Sequence, residues 1–167
     1  MKEYASDKIR NVAVLSHDGA GKTAVVESLL LASGAVTAVG VGKDNKHIMD
    51  FEPEEIKRNV TIQLGIAPCE WDGYKLNFLD TPGYSEFCGE VRAALRACDG
   101  ILLVVSAEEG IEMDTERAWD YGVELQLPRM IYVNKMDTEH ADFFGTLEKM
   151  RSLFGKSIMP LQIPIGE

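Results

Sequence analysis

One ten-residue stretch narrows what this chain can fold into more than any property of the whole. Residues 14–23, VLSHDGAGKT, leave an apolar run (IRNVAVLS, 9–16) and pass two glycines, a lysine and a threonine. They lead into KTAVVESLLLAS (22–33), where Val25, Val26, Leu29 and Leu30 recur at helical spacing and Gly34 supplies a natural stop. A loop between a strand and a helix can turn its backbone N–H groups around a phosphate at the positive end of that helix. Gly19 and Gly21 permit the positive φ angles and close backbone approach this requires. Gly21-Lys22-Thr23 completes the pattern G-x-x-x-x-G-K-[ST], in which Lys22 reaches the β- and γ-phosphates and the Thr23 hydroxyl takes a Mg²⁺ position. Ser16 stands where that pattern begins with glycine. Taken alone, the segment also fits a glycine-bearing turn followed by an ordinary helical lysine.

The rest of the chain keeps alternating strand with helix. Residues 34–59 show little periodicity, and a loop of that length inside a domain is usually functional or mobile. VTIQLGIAPCEW and YKLNFLD flank Asp72-Gly73, which predicts an antiparallel hairpin over about 60–80. SEFCGEVRAALRA (85–97) sets Phe87, Val91, Ala94 and Leu95 on one helical face. GILLVVSA (100–107) is the continuous apolar run of a strand buried on both sides. A helix near 112–125, a strand at RMIYVN (129–134), a helix over 138–155 ending at Gly155, and a short strand in IMPLQI follow. The expectation is an α/β, three-layer P-loop NTPase fold, with a mostly parallel sheet and one antiparallel hairpin, as one domain over 1–167. Ligands in such sheets bind beyond the carboxyl ends of the strands.

Three further candidates fall at such ends. In Asp80-Thr81-Pro82-Gly83, after KLNFL, the carboxylate can hold Mg²⁺ through water and the Gly83 N–H can sense a γ-phosphate; a plain Pro-Gly turn is the other reading. In Asn134-Lys135-Met136-Asp137, after RMIYV, Asp137 can accept from guanine N1–H and the exocyclic amine, a donor pair that adenine lacks. Asn134 would brace the loop, and the Lys135 stem would lie over base or ribose. The other reading is a polar helix start capped by Asp137 or Thr138. Thr61, closing the long loop, can swing in to bind Mg²⁺ when a γ-phosphate is present, or simply open a strand as a β-branched residue.

Charge excludes some functions. A formal net charge of −10 and a pI near 4.8 oppose bulk electrostatic binding to nucleic acid or anionic membrane. No apolar stretch is long enough to span a bilayer, and MKEYASDKIR is neither a signal nor a transit peptide. Cys69, Cys88 and Cys98 have no metal-type spacing and read as reduced thiols of a cytosolic protein.

Taken together and in this order, the motifs resemble the guanine-nucleotide domain of translational GTPases, in particular the elongation factor G family and its elongation factor G-like paralogues. DFEPEEIKRNVTI resembles that family's first switch and FLDTPGYSEFCGEV its second. RACDGILLVVSAEEGIEMDTERAW resembles the strand and helix that follow, and GVELQLPRMIYVNKMD the base-binding region. The resemblance implies a cytoplasmic, monomeric GTPase domain that binds GTP or GDP with Mg²⁺ and meets the ribosome through the full-length factor, with no membrane or direct nucleic-acid contact of its own. It implies that His17, Asp18, Gly19, Ala20, Gly21 and Lys22 bind phosphates. Thr23, Thr61 and Asp80 would surround Mg²⁺, and Asn134, Lys135 and Asp137 would select guanine. Lys22, Thr61, Gly83 and Tyr84 would line the hydrolytic centre.

Ser16 is a mild departure, since the family has a small non-glycine residue there. The family's aspartate at position 19 is replaced by glycine, with Asp18 one place early, which bears on a monovalent-cation ligand. Asn59 replaces the glycine of the family's RGITI. Tyr84 replaces the histidine of its DTPGH, which positions the attacking water. The chain is read as a piece of a longer factor, without the later guanine-contacting loop, the insert and the downstream domains. Two readings follow, a GTP-hydrolysing domain and a GTP/GDP-sensing module with little hydrolysis. An ATP-dependent P-loop enzyme is a third, opposed by Asp137.

Overall fold

The branched and aliphatic runs become strands where both of their faces find apolar partners. The computed structural model describes residues 2–39, 49, 51–58 and 60–165. The elements are β1 (Ile9–Leu15), α1 (Lys22–Ala32), α2 (Pro53–Arg58), β2 (Gly65–Trp71), β3 (Tyr74–Asp80), α3 (Cys88–Ala97), β4 (Gly100–Ser106), α4 (Met113–Glu124), β5 (Arg129–Asn134) and α5 (Phe143–Phe154). The sheet runs β2-β3-β1-β4-β5. Only β2 with β3 is antiparallel, so this is the expected mixed P-loop sheet.

Register places the site. Val14 pairs with Asp80, Leu15 with Leu103 and Ser106 with Asn134, so β1, β3, β4 and β5 finish along one edge. Gly65 opposite Asp80 brings the segment after Thr61 to the same edge.

Alternation along β1 and β4 builds a core on each face. Ala13, Leu15, Leu103 and Val105 pack with Ala94, Leu95, Ala118, Leu147 and Met150 of α3, α4 and α5. Val14 and Val104 pack on the other face with Val25, Val26 and Leu30 of α1, beside Ala67, Cys69 and Phe78. Among the described residues no helix is long and apolar enough to cross a membrane. The three cysteines are free thiols, with Cys69 buried and Cys88 exposed.

Several boundaries differ from the expected ones. Asp72 and Gly73 do make the turn, with φ of 47° and 77°, but β2 begins at Gly65 rather than near 60. The N–H groups of Ile62 and Gln63 donate to the Glu55 carboxylate and that of Leu64 to Glu90, so side chains replace the ladder there. Residues 85–87 form a 3₁₀ turn before α3, which leaves Phe87 outside the α-helix whose Ala94 and Leu95 are buried. The last helix starts at Phe143, not 138. Asp142 caps it by accepting from the Gly145 N–H at 2.8 Å, whereas the Thr138 hydroxyl donates to the Lys135 carbonyl. IMPLQI forms no strand. Pro160 lacks a donor for a ladder, and Met159, Leu161 and Ile163 are exposed. Of the long loop, 40–48, 50 and 59 lie outside the described residues, Asn59 included; residues 53–58 are α2.

Candidate nucleotide site

After Leu15 the chain turns through Gly19 and Gly21, with φ of 78° and 88°, conformations that side chains resist. Gly21 is needed for space as well. A β-carbon there would lie 2.5 Å from Asn134 Nδ2, which donates to the Ala20 carbonyl at 2.9 Å. The base-reading candidate is thereby hydrogen-bonded to the phosphate-loop candidate across 114 positions of sequence. Ser16 is buried, so the pattern's missing glycine leaves a small hydroxyl inside rather than a gap.

Lys22 is buried, and its Nζ donates to the His17 carbonyl at 2.9 Å. Desolvation lowers its pKa, opposed by the carboxylates of Asp80, Asp18 and Asp114. The amine is thus a partly compensated cation inside the loop, suited to an incoming anion. Gly83 presses on the same place. A β-carbon there would come 2.5 Å from Lys22 Nζ and 2.7 Å from the Asp18 backbone nitrogen. The Thr81 hydroxyl donates to the Val14 carbonyl at 2.7 Å and pins this turn to β1.

Thr23 Oγ1 and Thr61 Oγ1 lie 3.2 Å apart. Asp80, at the end of β3, is fully buried. Two hydroxyls and a carboxylate form an all-oxygen set, the hard donors that Mg²⁺ takes in phosphate sites, so the residues present fit the ion. Thr61 is held by its neighbours. The Glu55 carboxylate, 1% exposed, accepts from Ile62 and Gln63 at 2.9 Å each and from Glu52 at 3.1 Å.

In the last loop Lys135 adopts φ 57°, and Asp137 is exposed beside it. Tyr84 is also exposed. A hydrogen bond to the Asp18 carboxylate, and then that group's charge, raises its pKa.

Sequence reasoning missed Glu55, Thr115 and Glu109. His17 Nδ1 is 2.9 Å from Thr115 Oγ1, and its Nε2 is 3.2 Å from Glu109 Oε2, which also takes Lys135 Nζ at 3.1 Å. These partners stand 98, 92 and 26 positions apart, so no local pattern announces them.

Residues 7–163 match the family described as the elongation factor Tu GTP binding domain. The chain is 38% identical over 160 residues to elongation factor G 1 of Treponema denticola, an alignment covering 96% of this chain and 23% of that protein. A crystal structure from Thermus thermophilus superposes with a TM-score of 0.90 at 41% identity, covering 96% of this chain and 24% of that one. The chain therefore spans about a quarter of the length of these relatives. With the motif order, the strand-end loops and this match in agreement, the chain belongs to the elongation factor Tu GTP binding domain family.

Proposed function

We propose that this chain binds GTP and GDP with Mg²⁺ and hydrolyses GTP, as the nucleotide domain of a cytoplasmic, ribosome-associated factor of the elongation factor G kind. The observation that carries the reading is the closure of the strand-end loops on one another: Asn134 on Ala20, Thr61 on Thr23, and Gly83 against Lys22. The relative's name, elongation factor G 1, supports the translational assignment. The net charge of −10 suits a monomer that leaves RNA contact to the rest of the factor.

Phosphoryl transfer needs positioning and charge stabilisation more than covalent help from the protein. The 17–23 backbone and Lys22 hold the phosphates while water attacks the γ-phosphorus and the bond to the β-phosphate oxygen breaks, giving GDP and phosphate. Thr23, Thr61 and Asp80 would hold Mg²⁺, and its charge would offset the negative charge of the phosphate oxygens. Asn134 braces the base loop, the Lys135 stem covers the base, and Asp137 accepts the guanine donor pair.

Tyr84 favours a second reading, a nucleotide sensor with little turnover. Its hydroxyl can orient water, but it stays neutral at pH 7 and brings no positive charge to the transition state. Intrinsic hydrolysis is expected on the order of 10⁻³ s⁻¹ or below, as in unstimulated small GTPases. Single-turnover hydrolysis by wild type, Tyr84→Phe and Tyr84→His, with and without ribosomes, separates the two. Ribosome stimulation of wild type supports the hydrolase. No stimulation of wild type, with a gain in Tyr84→His, supports the sensor. In parallel, Asp137→Asn should shift preference toward xanthine nucleotides, and equal binding of ATP and GTP by wild type would sink the guanine assignment.

A further inference from the structure

We infer that Glu109 is a positioning residue that ties the phosphate loop to the base-reading loop, so that both ends of the nucleotide site tighten or loosen together; this rests on the nucleotide reading above. One oxygen makes the tie. Glu109 Oε2 accepts from His17 Nε2 at 3.2 Å and from Lys135 Nζ at 3.1 Å.

Each end of the tie is itself fixed. The Glu109 N–H donates to Ser106 Oγ at 3.1 Å, at the buried end of β4. The next residue, Gly110, turns with φ 78° and donates its N–H to the Ser106 carbonyl at 2.8 Å. This tight turn presents the carboxylate between the two loops. A carboxylate only accepts, so His17 Nε2 is the donor to it. In the neutral ring Nδ1 then accepts from the Thr115 hydroxyl at 2.9 Å, and both nitrogens of a buried imidazole are satisfied.

The path continues in both directions. The His17 carbonyl receives Lys22 Nζ at 2.9 Å, so Lys135, Glu109, His17 and Lys22 form one hydrogen-bonded run from the base loop to the phosphate lysine. At the other end, the Lys135 backbone sits at φ 57°, a conformation that residues with a β-carbon adopt at a cost. The anchored ammonium and the Thr138 hydroxyl on the Lys135 carbonyl, at 3.0 Å, hold it there. Burial pushes the Glu109 pKa up, but hydrogen bonds from Lys135, His17 and Ser106 outweigh it and the net shift is downward, so the acceptor is ionised at neutral pH. The Glu109 side chain is 37% exposed, and solvent screens its charge, which leaves hydrogen-bond geometry as the main contribution.

The test is GDP affinity and GDP dissociation rate for the full chain as wild type, E109A, E109Q, K135A and the double variant E109A/K135A, with thermal midpoints alongside. Losing a charge-assisted hydrogen bond corresponds to about tenfold in affinity, so E109A should bind GDP about tenfold more weakly, chiefly through faster dissociation. E109Q keeps a neutral acceptor and should lose about threefold. In the K135A background the tie to the base loop is already broken, so removing Glu109 should cost clearly less than in wild type, with only its contact to His17 left to lose. Equal losses with and without Lys135, or a lowered midpoint in E109A with GDP affinity intact, overturns the inference alone. A wild-type chain that binds no GDP overturns the nucleotide reading and the inference with it.

Discussion

The Tyr84 ring carries no charge at neutral pH, and its surroundings push it further from acquiring one. The nearby Asp18 carboxylate favours the neutral phenol, through hydrogen bonding first and then through its negative charge. Asp18, in the candidate phosphate loop, thus bears on the ionisation of Tyr84 at the candidate hydrolytic centre. Tyr84 should titrate above the ordinary tyrosine value of about 10, and Asp18→Asn should bring it back toward that value. An ultraviolet difference titration against Tyr84→Phe reads this directly. An unmoved Tyr84 in Asp18→Asn breaks the pairing. The same pairing makes the tyrosine a weak general base near neutral pH, since the anionic phenolate is the form it disfavours.

At the scale of elements, the segment from α2 to β2 is organised by carboxylates rather than by a sheet. Glu55, on a helix of six residues, collects three backbone N–H groups, and Glu90 reaches across from α3 to take a fourth from Leu64. Thr61 is therefore held against Thr23 by a local scaffold that the ladder does not supply. Glu55→Ala leaves three N–H groups without this acceptor. Destabilisation of about 2–3 kcal/mol is expected from the unsatisfied donors. Faster protease cleavage between 52 and 64 should accompany it, with Glu55→Gln falling in between. Denaturant unfolding and limited proteolysis check the two effects separately. Cleavage at the wild-type rate in Glu55→Ala would show that something else holds the segment.

Across the whole molecule, the two cores divide the apolar residues sharply from those of the tail. Leu103 sits fully buried on the sheet face that α3, α4 and α5 cover, whereas Leu161 is 80% exposed. Leu103→Ala should cost about 2–5 kcal/mol, as large-to-small changes in packed cores do. Leu161→Ala should stay within about 0.5 kcal/mol, the usual range for surface sites. Chemical denaturation of both variants under identical conditions tests the division, and a large loss in Leu161→Ala would place the 157–165 segment in the core after all. On the α1 face, a groove of about 650 Å³ between α1 and β4–β5 is lined mostly by apolar side chains, including Leu29, Leu102, Met130 and Tyr132. It reaches Asn134 at the end of β5.

Sequence alone determined whatever depends on neighbours along the chain. The apolar runs at 9–16 and 100–107 read as strands and form β1 and β4, and the helical spacing of Val25, Val26, Leu29 and Leu30 reads as the buried face of α1. Asp72-Gly73 signalled the hairpin turn, because Asp-Gly tolerates the positive φ angles that both residues take there. Gly19, Gly21, Lys22 and Thr23 carried the phosphate-loop pattern in their order, and Asn134 through Asp137 a strand-end loop. Only the tertiary structure decided the polar pairings. Which carboxylate joins His17 to Lys135, and which of its many possible partners the buried His17 ring meets, follow from the order β2-β3-β1-β4-β5. Glu55, by contrast, gathers N–H groups only three to eight positions away, yet carries no sequence pattern that announces it. The physical reason is range. Burial periodicity and turn conformation are fixed within a few residues, whereas a hydrogen bond between groups 92 positions apart exists only after the sheet has set their distance.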